Sequence, residues 1–232
     1  MNGVGILIHG LHLQAKGWEQ IVWGNPPHKL GSLPKAVEVM LSFGLDQVRH
    51  VVFGTGASEK RGIKEAEYTR LELVKALEYL QKYPEIFMGP VRRTKLEGLI
   101  RKSTLELEAQ NTHQEIANAA QHFAQHGCSL IVQVPTCASH APRCVKTFSQ
   151  VKASGGIPEG QLWTVAPPDT TFADSTIDDV AIVEPPHRGD DPMLDAHVQG
   201  HEVVARLLKL PVLARKRFLL NVHQLLVDEY EI

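Results

Sequence analysis

The feature that most restricts what this 232-residue chain can fold into is the alternation of short apolar runs with longer segments of helical periodicity. The runs VGILIHG (4–10), HVVFG (50–54), SLIVQV (129–134), LWTVAP (162–167) and VAIVEP (180–185) have the length and apolar content of strands buried on both faces, and TLELEA (104–109) is a shorter candidate for one more. Between them, residues 62–82 carry Leu73, Val74, Leu77 and Leu80 at helical spacing, and residues 112–126 carry Ile116, Ala119, Ala120 and Phe123. Parallel strands need crossover connections and bury both sides of their sheet, so the alternation predicts an α/β fold with a mostly parallel sheet between helical layers.

Two stretches depart from this rhythm. Residues 84–102 are basic, with Arg92, Arg93, Lys95, Arg101 and Lys102, and read either as a solvated helical connection or as a flap near a site. Residues 199–232 read as two C-terminal helices separated at Pro211, which lacks the N–H that a helix interior requires. With no internal repeat or low-complexity tract, the whole of 1–232 is read as a single domain.

Lys and Arg number 24 against 26 Asp and Glu, a formal charge of -2, so no global field draws the chain to nucleic acid or to an anionic membrane. No stretch has the roughly 20 consecutive apolar residues of a membrane span, and the N-terminal run lacks the form of a signal peptide. The expectation is a soluble, cytoplasmic protein. Its three cysteines, Cys128, Cys137 and Cys144, form no disulfide framework. Cys137, His140 and Cys144 lack the CxxC or HxH partners of a metal centre, so no metal site is expected.

In an open parallel sheet, ligands bind beyond the carboxyl ends of the strands, where helix N-termini present free N–H groups. His9 and Gly10 follow the first run, and Gly54, Thr55 and Gly56 follow the second, where glycines let main-chain N–H groups approach an anion. Glu65 and Glu67 open the next helix, as dipole-stabilising carboxylates or, more sharply, as a base or hydroxyl ligand. Thr112 and Glu115 have the spacing of a capping box, leaving Asn111 and Glu106 or Glu108 for ligand contact. In PTCASHAPRC (135–144), Ser139 can cap a helix and Pro142 fits its first turn, whereas a cation there opposes the helix dipole. His140 and Arg143 therefore read either as surface residues or as an anion-binding corner with a proton-transfer group. After the last run, His187, Arg188, Asp190 and Asp191 read as a solvated turn or a Mg²⁺ ligand pair, and Trp18 and Trp23 as core or lid anchors.

Together these spacings resemble the YdcF-like family, a SanA/ElyC-related group of largely uncharacterised proteins. Lys35-Ala36 matches the basic residue beside Ala in its first helix, with Lys for Arg. GTGAS followed by Glu65-Ala66 matches its glycine turn and Glu-Ala, ELEAQNT supplies Glu106, Asn111 and Thr112, and TCASHAPR supplies Thr136, His140 and Arg143. The likeness spans roughly residues 4–185. Ala109 stands where the family has Ser, and Gln114-Glu115 where it has Glu-Asn. The resemblance implies a Rossmann-like three-layer sandwich with a polar site at the strand ends. The expected function is a small-molecule enzyme acting on a phosphorylated or nucleotide-type substrate by hydrolysis or group transfer. His140 and Glu65 are its candidate catalytic groups, and Gly10, Lys35, Gly54, Thr55, Gly56, Glu106, Asn111, Thr112, Thr136 and Arg143 its candidate substrate contacts. The alternative is a non-catalytic regulatory protein binding a nucleotide or S-adenosylmethionine. Neither a cofactor nor an oligomeric state is legible in the residues.

Overall fold

A computed structural model describes residues 3–172, together with Pro211 and Ala214. Residues 3–172 belong to one compact unit, Met1–Ile177. The expected strand at 180–185, the turn with His187, Arg188, Asp190 and Asp191, and the expected C-terminal helices, apart from Pro211 and Ala214, lie outside the described residues.

The elements in chain order are β1 (Gly3–Ile8), α1 (Trp18–Trp23), the hairpin β2 (Gly24–Asn25) and β3 (Lys29–Leu30), α2 (Ser32–Phe43), β4 (Val48–Gly54), and a second hairpin, β5 (Glu59–Lys60) and β6 (Ile63–Lys64). Then come α3 (Glu65–Lys75), a 3-10 turn at Tyr79–Lys82, α4 (Pro90–Arg101), β7 (Thr104–Glu106), α5 (Thr112–Gln125), β8 (Cys128–Val134), a 3-10 turn at Ala138–His140, α6 (Ala141–Ala153) and β9 (Leu162–Val165). The central sheet has five strands in the order β7-β4-β1-β8-β9, and every pairing is parallel. This is a Rossmann-like α/β sandwich.

The order explains where a site can form. From β1 the chain steps outward to β4 and β7, then crosses back through α5 to β8 on the other side of β1 and steps outward to β9. Right-handed crossovers place α2, α3 and α4 on one face and α5 and α6 on the other. The ends of β1 and β8 are therefore the pair at which the direction of winding reverses, with Ile8 paired to Val134 and the His9 N–H donating to the Val134 carbonyl at 3.0 Å. A crevice opens there, where the connections leave to opposite faces.

Burial accounts for the elements. All six residues of β1 are buried, as expected for a central parallel strand. Ile116, Ala119 and Phe123 on one stripe of α5 pack with Leu7, Val52, Ile131 and Val151. The Phe123 ring lies so close to β1 that a Cβ on Gly5 would stand 2.5 Å from its Cδ1, so Gly5 is what admits α5 to this depth.

Some boundaries differ from the sequence expectation. The helix expected from residue 62 begins only at Glu65, because Arg61 (φ 55°) and Gly62 (φ 77°) turn the β5–β6 hairpin in the left-handed region. The run at 104–109 stops at Glu106, whose Oε1 accepts from the N–H groups of Glu108 at 2.9 Å and Ala109 at 3.0 Å and so folds the chain into a turn. The last described strand ends at Val165, ahead of Pro167 and Pro168, which have no N–H for a ladder. The basic stretch is a helix, α4, which buries Leu96 and Ile100 and pairs Arg93 with Glu78 at 3.0 Å and Lys95 with Asp46. Among the described residues, no helix is long and apolar enough to cross a membrane.

Near the start of β4, the His50 ring stacks on His126 at 3.6 Å and 9°, and its Nε2 meets Thr104 Oγ1 at 2.8 Å. Burial, reinforced by His126 and His122, pushes the His50 imidazole down from 6.5 to about 4. His50 is thus neutral in the folded protein, while the unfolded chain takes up a proton below 6.5, so its contribution is complete above that value and is lost as pH falls through about 4. We expect His50→Phe to remove about 1–2 kcal/mol of the acid destabilisation, after allowance for solvent screening, in urea melts compared between neutral pH and pH 4.

Candidate functional site

The carboxyl end of β1 delivers His9 into the interior, with its ring between α5 and β8. Its Nδ1 is 2.9 Å from Glu115 Oε2, and its Nε2 is 3.0 Å from Gln133 Oε1. The second Glu115 oxygen accepts the Gly10 N–H at 3.2 Å, so one carboxylate ties the end of β1 to the first turn of α5. Room for that carboxylate comes from β4, where a Cβ on Gly54 would fall 1.7 Å from Glu115 Oε1. Burial on its own disfavours the imidazolium, but the Cys144 sulfur and the Glu115 carboxylate outweigh it and hold His9 well above the ordinary histidine value.

On the β8 side, the 3-10 turn at Ala138–His140 swings His140 back beneath the N-terminus of α6. Its Nδ1 lies 3.1 Å from Thr136 Oγ1 and 3.4 Å from the Thr136 N–H, and its Nε2 lies 3.4 Å from Thr112 Oγ1 and 3.7 Å from Cys144 Sγ. The rings of His140 and His9 meet edge to face at 5.4 Å. Arg143 is half-buried in the first turn of α6. Ser139 is not the cap of that helix: His140 occupies the N-cap position without a capping side-chain bond, and Pro142 sits in the first turn as expected.

On the β4 side, the glycine turn is closed by the chain itself. The Gly56 N–H donates to the Ala109 carbonyl at 3.0 Å, the Thr55 hydroxyl donates to the same oxygen, and a Cβ on Gly56 would stand 1.8 Å from the Leu107 carbonyl oxygen. Past the turn, the Ser58 hydroxyl accepts the Leu13 N–H at 2.9 Å and donates to Glu65 Oε2 at 2.5 Å. Glu65 is 1% exposed, and its Oε1, beside Gly10, has no hydrogen-bond partner among the described residues. Burial, helped by the Glu115 charge and opposed by the Ser58 hydrogen bond, pushes its carboxyl from 4.5 up to about 8.

The expected loops therefore converge: Glu65 adjoins Gly10, Gly10 and His9 adjoin Glu115, and His9 adjoins His140, which reaches Thr112 and Thr136. Three expected residues stand apart from this chain of contacts. Glu106 spends its carboxylate on the turn that follows β7, with His122 Nε2 at 3.8 Å from its other oxygen. Lys35, in the first turn of α2, pairs with Glu38 at 2.7 Å. Asn111 is exposed and caps α5, its Oδ1 accepting the Gln114 N–H at 3.0 Å. That last contact corrects the capping-box expectation: Asn111 holds the N-cap, and Glu115 turns inward to His9.

His9, Ser58, Glu115, Gln133 and Cys144 are members of the cluster that the sequence reading did not assign to it. Gln133 carried a signal, since a polar residue inside an otherwise apolar strand must find a buried partner. Trp18 is a buried anchor, donating from Nε1 to the Leu11 carbonyl at 3.1 Å. A pocket of about 300 Å³ opens beside it, lined by Leu13, Gly17, Trp18, Glu19, Gln20 and Lys60, and it adjoins the cluster through Leu13. Among the described residues, no group of three His, Cys, Asp or Glu side chains is disposed to hold a metal ion. Compared with protein-family models, curated proteins and solved structures, the chain matches none.

Glu65 gives this arrangement a measurable signature. Its carboxyl stays protonated in the folded protein up to about pH 8, while the unfolded chain ionises above 4.5, so stability falls as pH rises across that window. The neutral isostere Glu65→Gln is expected to raise the melting temperature near pH 8 by a few degrees, 1 kcal/mol being worth about 2–4 °C in a chain of this size. The difference should vanish near pH 4.5 in the same thermal melts.

Proposed function

We propose that the cluster at the ends of β1, β4 and β8 serves a small-molecule enzyme acting on a phosphorylated or nucleotide-type substrate, by hydrolysis or group transfer. The observation that carries this reading is the meeting of His9, Thr112, Thr136 and His140 at the point where the sheet reverses its winding and the N-termini of α5 and α6 come together. Two helix N-termini and the Arg143 guanidinium favour an oxyanion there. In this reading Arg143 and the first turn of α6 hold the anion, and His140 transfers a proton or polarises the reacting oxygen. Glu65, uncharged at neutral pH, is the second proton carrier. Gly10, Gly54, Thr55 and Gly56 shape the wall that brings the two glutamates close. The resemblance to the YdcF-like family supports the same corner. The formal charge of -2 supplies no global field toward nucleic acid, so the anion site is local, and we take the protein to work in the cytoplasm.

One observation favours the alternative, a regulatory protein that holds a nucleotide or S-adenosylmethionine without turnover. His140 is 4% exposed and Glu65 1%, so neither candidate catalytic group is open to solvent.

Thermal-shift screening of the full chain against nucleotides, phosphosugars and S-adenosylmethionine, followed by product analysis of each hit, separates the two. The enzyme reading expects a stabilising phosphorylated ligand, a converted product, and loss of product with retained binding in His140→Ala. Arg143→Ala is expected to weaken binding by about 10-fold or more, the loss of a charge-assisted hydrogen bond to the anion. Binding without product from any hit favours the regulatory reading. Unchanged ligand effects in both variants would remove the site assignment.

A further inference from the structure

A hollow of about 300 Å³ lies between the segment that follows β1 and the β5–β6 hairpin, lined by Leu13, Gly17, Trp18, Glu19, Gln20 and Lys60. Two hydrogen bonds tie its walls together: the Leu13 N–H donates to Ser58 Oγ at 2.9 Å, and Gln14 Nε2 donates to the Glu59 carbonyl at 2.8 Å. The Trp18 ring stands edge to face with Tyr68 at 5.5 Å, its indole N–H given to the Leu11 carbonyl. Lys60 leans over the Tyr68 ring, its Nζ 5.1 Å from the ring centre and 3.4 Å from the hydroxyl, and it meets no carboxylate among the described residues. Ser58 links the hollow to the cluster. The hydroxyl that receives the Leu13 N–H donates to Glu65 Oε2 at 2.5 Å, and Glu65 Oε1, beside Gly10, has no hydrogen-bond partner among the described residues.

The lining selects among ligands by size, by aromatic surface and by charge. A volume of about 300 Å³ is at the lower end of small-molecule sites, roughly 300–1,000 Å³, and has room for one ring. A nucleobase is held chiefly by stacking on an aromatic face, and Trp18, 8% exposed and already packed against Tyr68, offers none. Lys60 and Glu19 bring one positive and one negative charge, so an anion placed between them is attracted by one and repelled by the other. A hydroxyl group satisfies both, since it accepts from the ammonium and donates to the carboxylate, and the Gln20 amide offers a donor and an acceptor as well. We propose that this hollow is the subsite for the non-reacting end of the ligand and that this end is a single hydroxyl-rich ring, which makes the substrate class a phosphorylated sugar. The proposal rests on the proposed function for the phosphoryl end alone; the ring site stands on its lining. Ser58 serves both ends, holding the wall of the ring site with a lone pair and Glu65 with its proton.

Two-dimensional ¹H–¹⁵N spectra of the ¹⁵N-labelled full chain report on the site through the Trp18 indole N–H and the Gln20 side-chain amide, assigned with Trp18→Phe and Gln20→Ala. The probes are inorganic phosphate, adenosine monophosphate, a panel of pentose and hexose phosphates, and the corresponding free sugars. At least one sugar phosphate is expected to shift both signals and to bind about 10-fold or more tightly than inorganic phosphate, through the hydrogen bonds added in the hollow. Lys60→Met, which keeps an apolar stem over Tyr68, and Gln20→Ala are each expected to weaken that sugar phosphate by about 3- to 10-fold while leaving inorganic phosphate unchanged. Both variants replace exposed side chains, so the fold is retained. The proposal is overturned if adenosine monophosphate shifts both signals and outbinds every sugar phosphate, or if no sugar phosphate binds more tightly than inorganic phosphate. Affinity unmoved in both variants overturns it too, as does silence of both signals toward every sugar, phosphorylated or free. The phosphoryl reading fails separately: free sugars that shift both signals as strongly as their phosphates do, with Arg143→Ala without effect, leave the ring site standing and remove the anion corner.

Discussion

The site depends on one buried carboxylate. Glu115 leaves the first turn of α5, passes the glycine that ends β4, and closes on the His9 ring and the Gly10 N–H at the end of β1. Removing two charges from water is costly, and a buried pair of this kind is not in itself a source of stability; breaking it by deleting one partner leaves an uncompensated charge that costs about 3–5 kcal/mol. The pair is better understood as a constraint on position. It fixes the height of α5 along the sheet, and with it the distance from Thr112 to His140.

Around that constraint the fold supplies direction. Because the winding reverses between β1 and β8, the segments following them part company and leave a crevice, and the N-termini of α5 and α6 both lie at its rim. The polar residues found there are held by the chain itself: Thr136 fixes His140, Ser58 fixes Glu65, and the turn after β7 fixes the glycine turn after β4. The glycine turn, read from sequence as a cradle for an anion, has its Gly56 N–H committed to Ala109, so its service to the site is steric. The close approach of Glu65 and Glu115 to Gly10 requires it.

The layered α/β architecture was legible because parallel strands buried on both faces leave continuous apolar runs, and β1, β4 and β8 are such runs. The hairpin at 59–64 was not, since its strands are two residues long and polar, and its turn depends on backbone angles at Arg61 and Gly62 that spacing does not reveal. Within the candidate site, His140 was singled out from its place after a strand and Glu65 from its place at a helix start, whereas Thr136 entered only through the family resemblance. Glu115 was not singled out, because Thr-x-x-Glu at a helix start fits a local capping interaction as well as it fits a tertiary one. The decision was made 106 residues away in sequence, at His9, and by Asn111, which took the cap and released the glutamate. Glu106 failed in the converse way. It sits at a strand end, where a ligand contact is plausible, yet the turn it must support consumes one of its oxygens.

The missing side chain at residue 54 has a consequence for how this sequence can vary. A carbon added there would lie 1.7 Å from the carboxylate oxygen of Glu115, 2.4 Å from its Cδ and 2.6 Å from its Cγ, so shortening the acid to aspartate would not relieve the overlap. Positions 54 and 115 thus amount to a single steric choice. A chain that gives up the glycine must also give up an acidic arm in that place, and would have to neutralise the buried histidine from some other element.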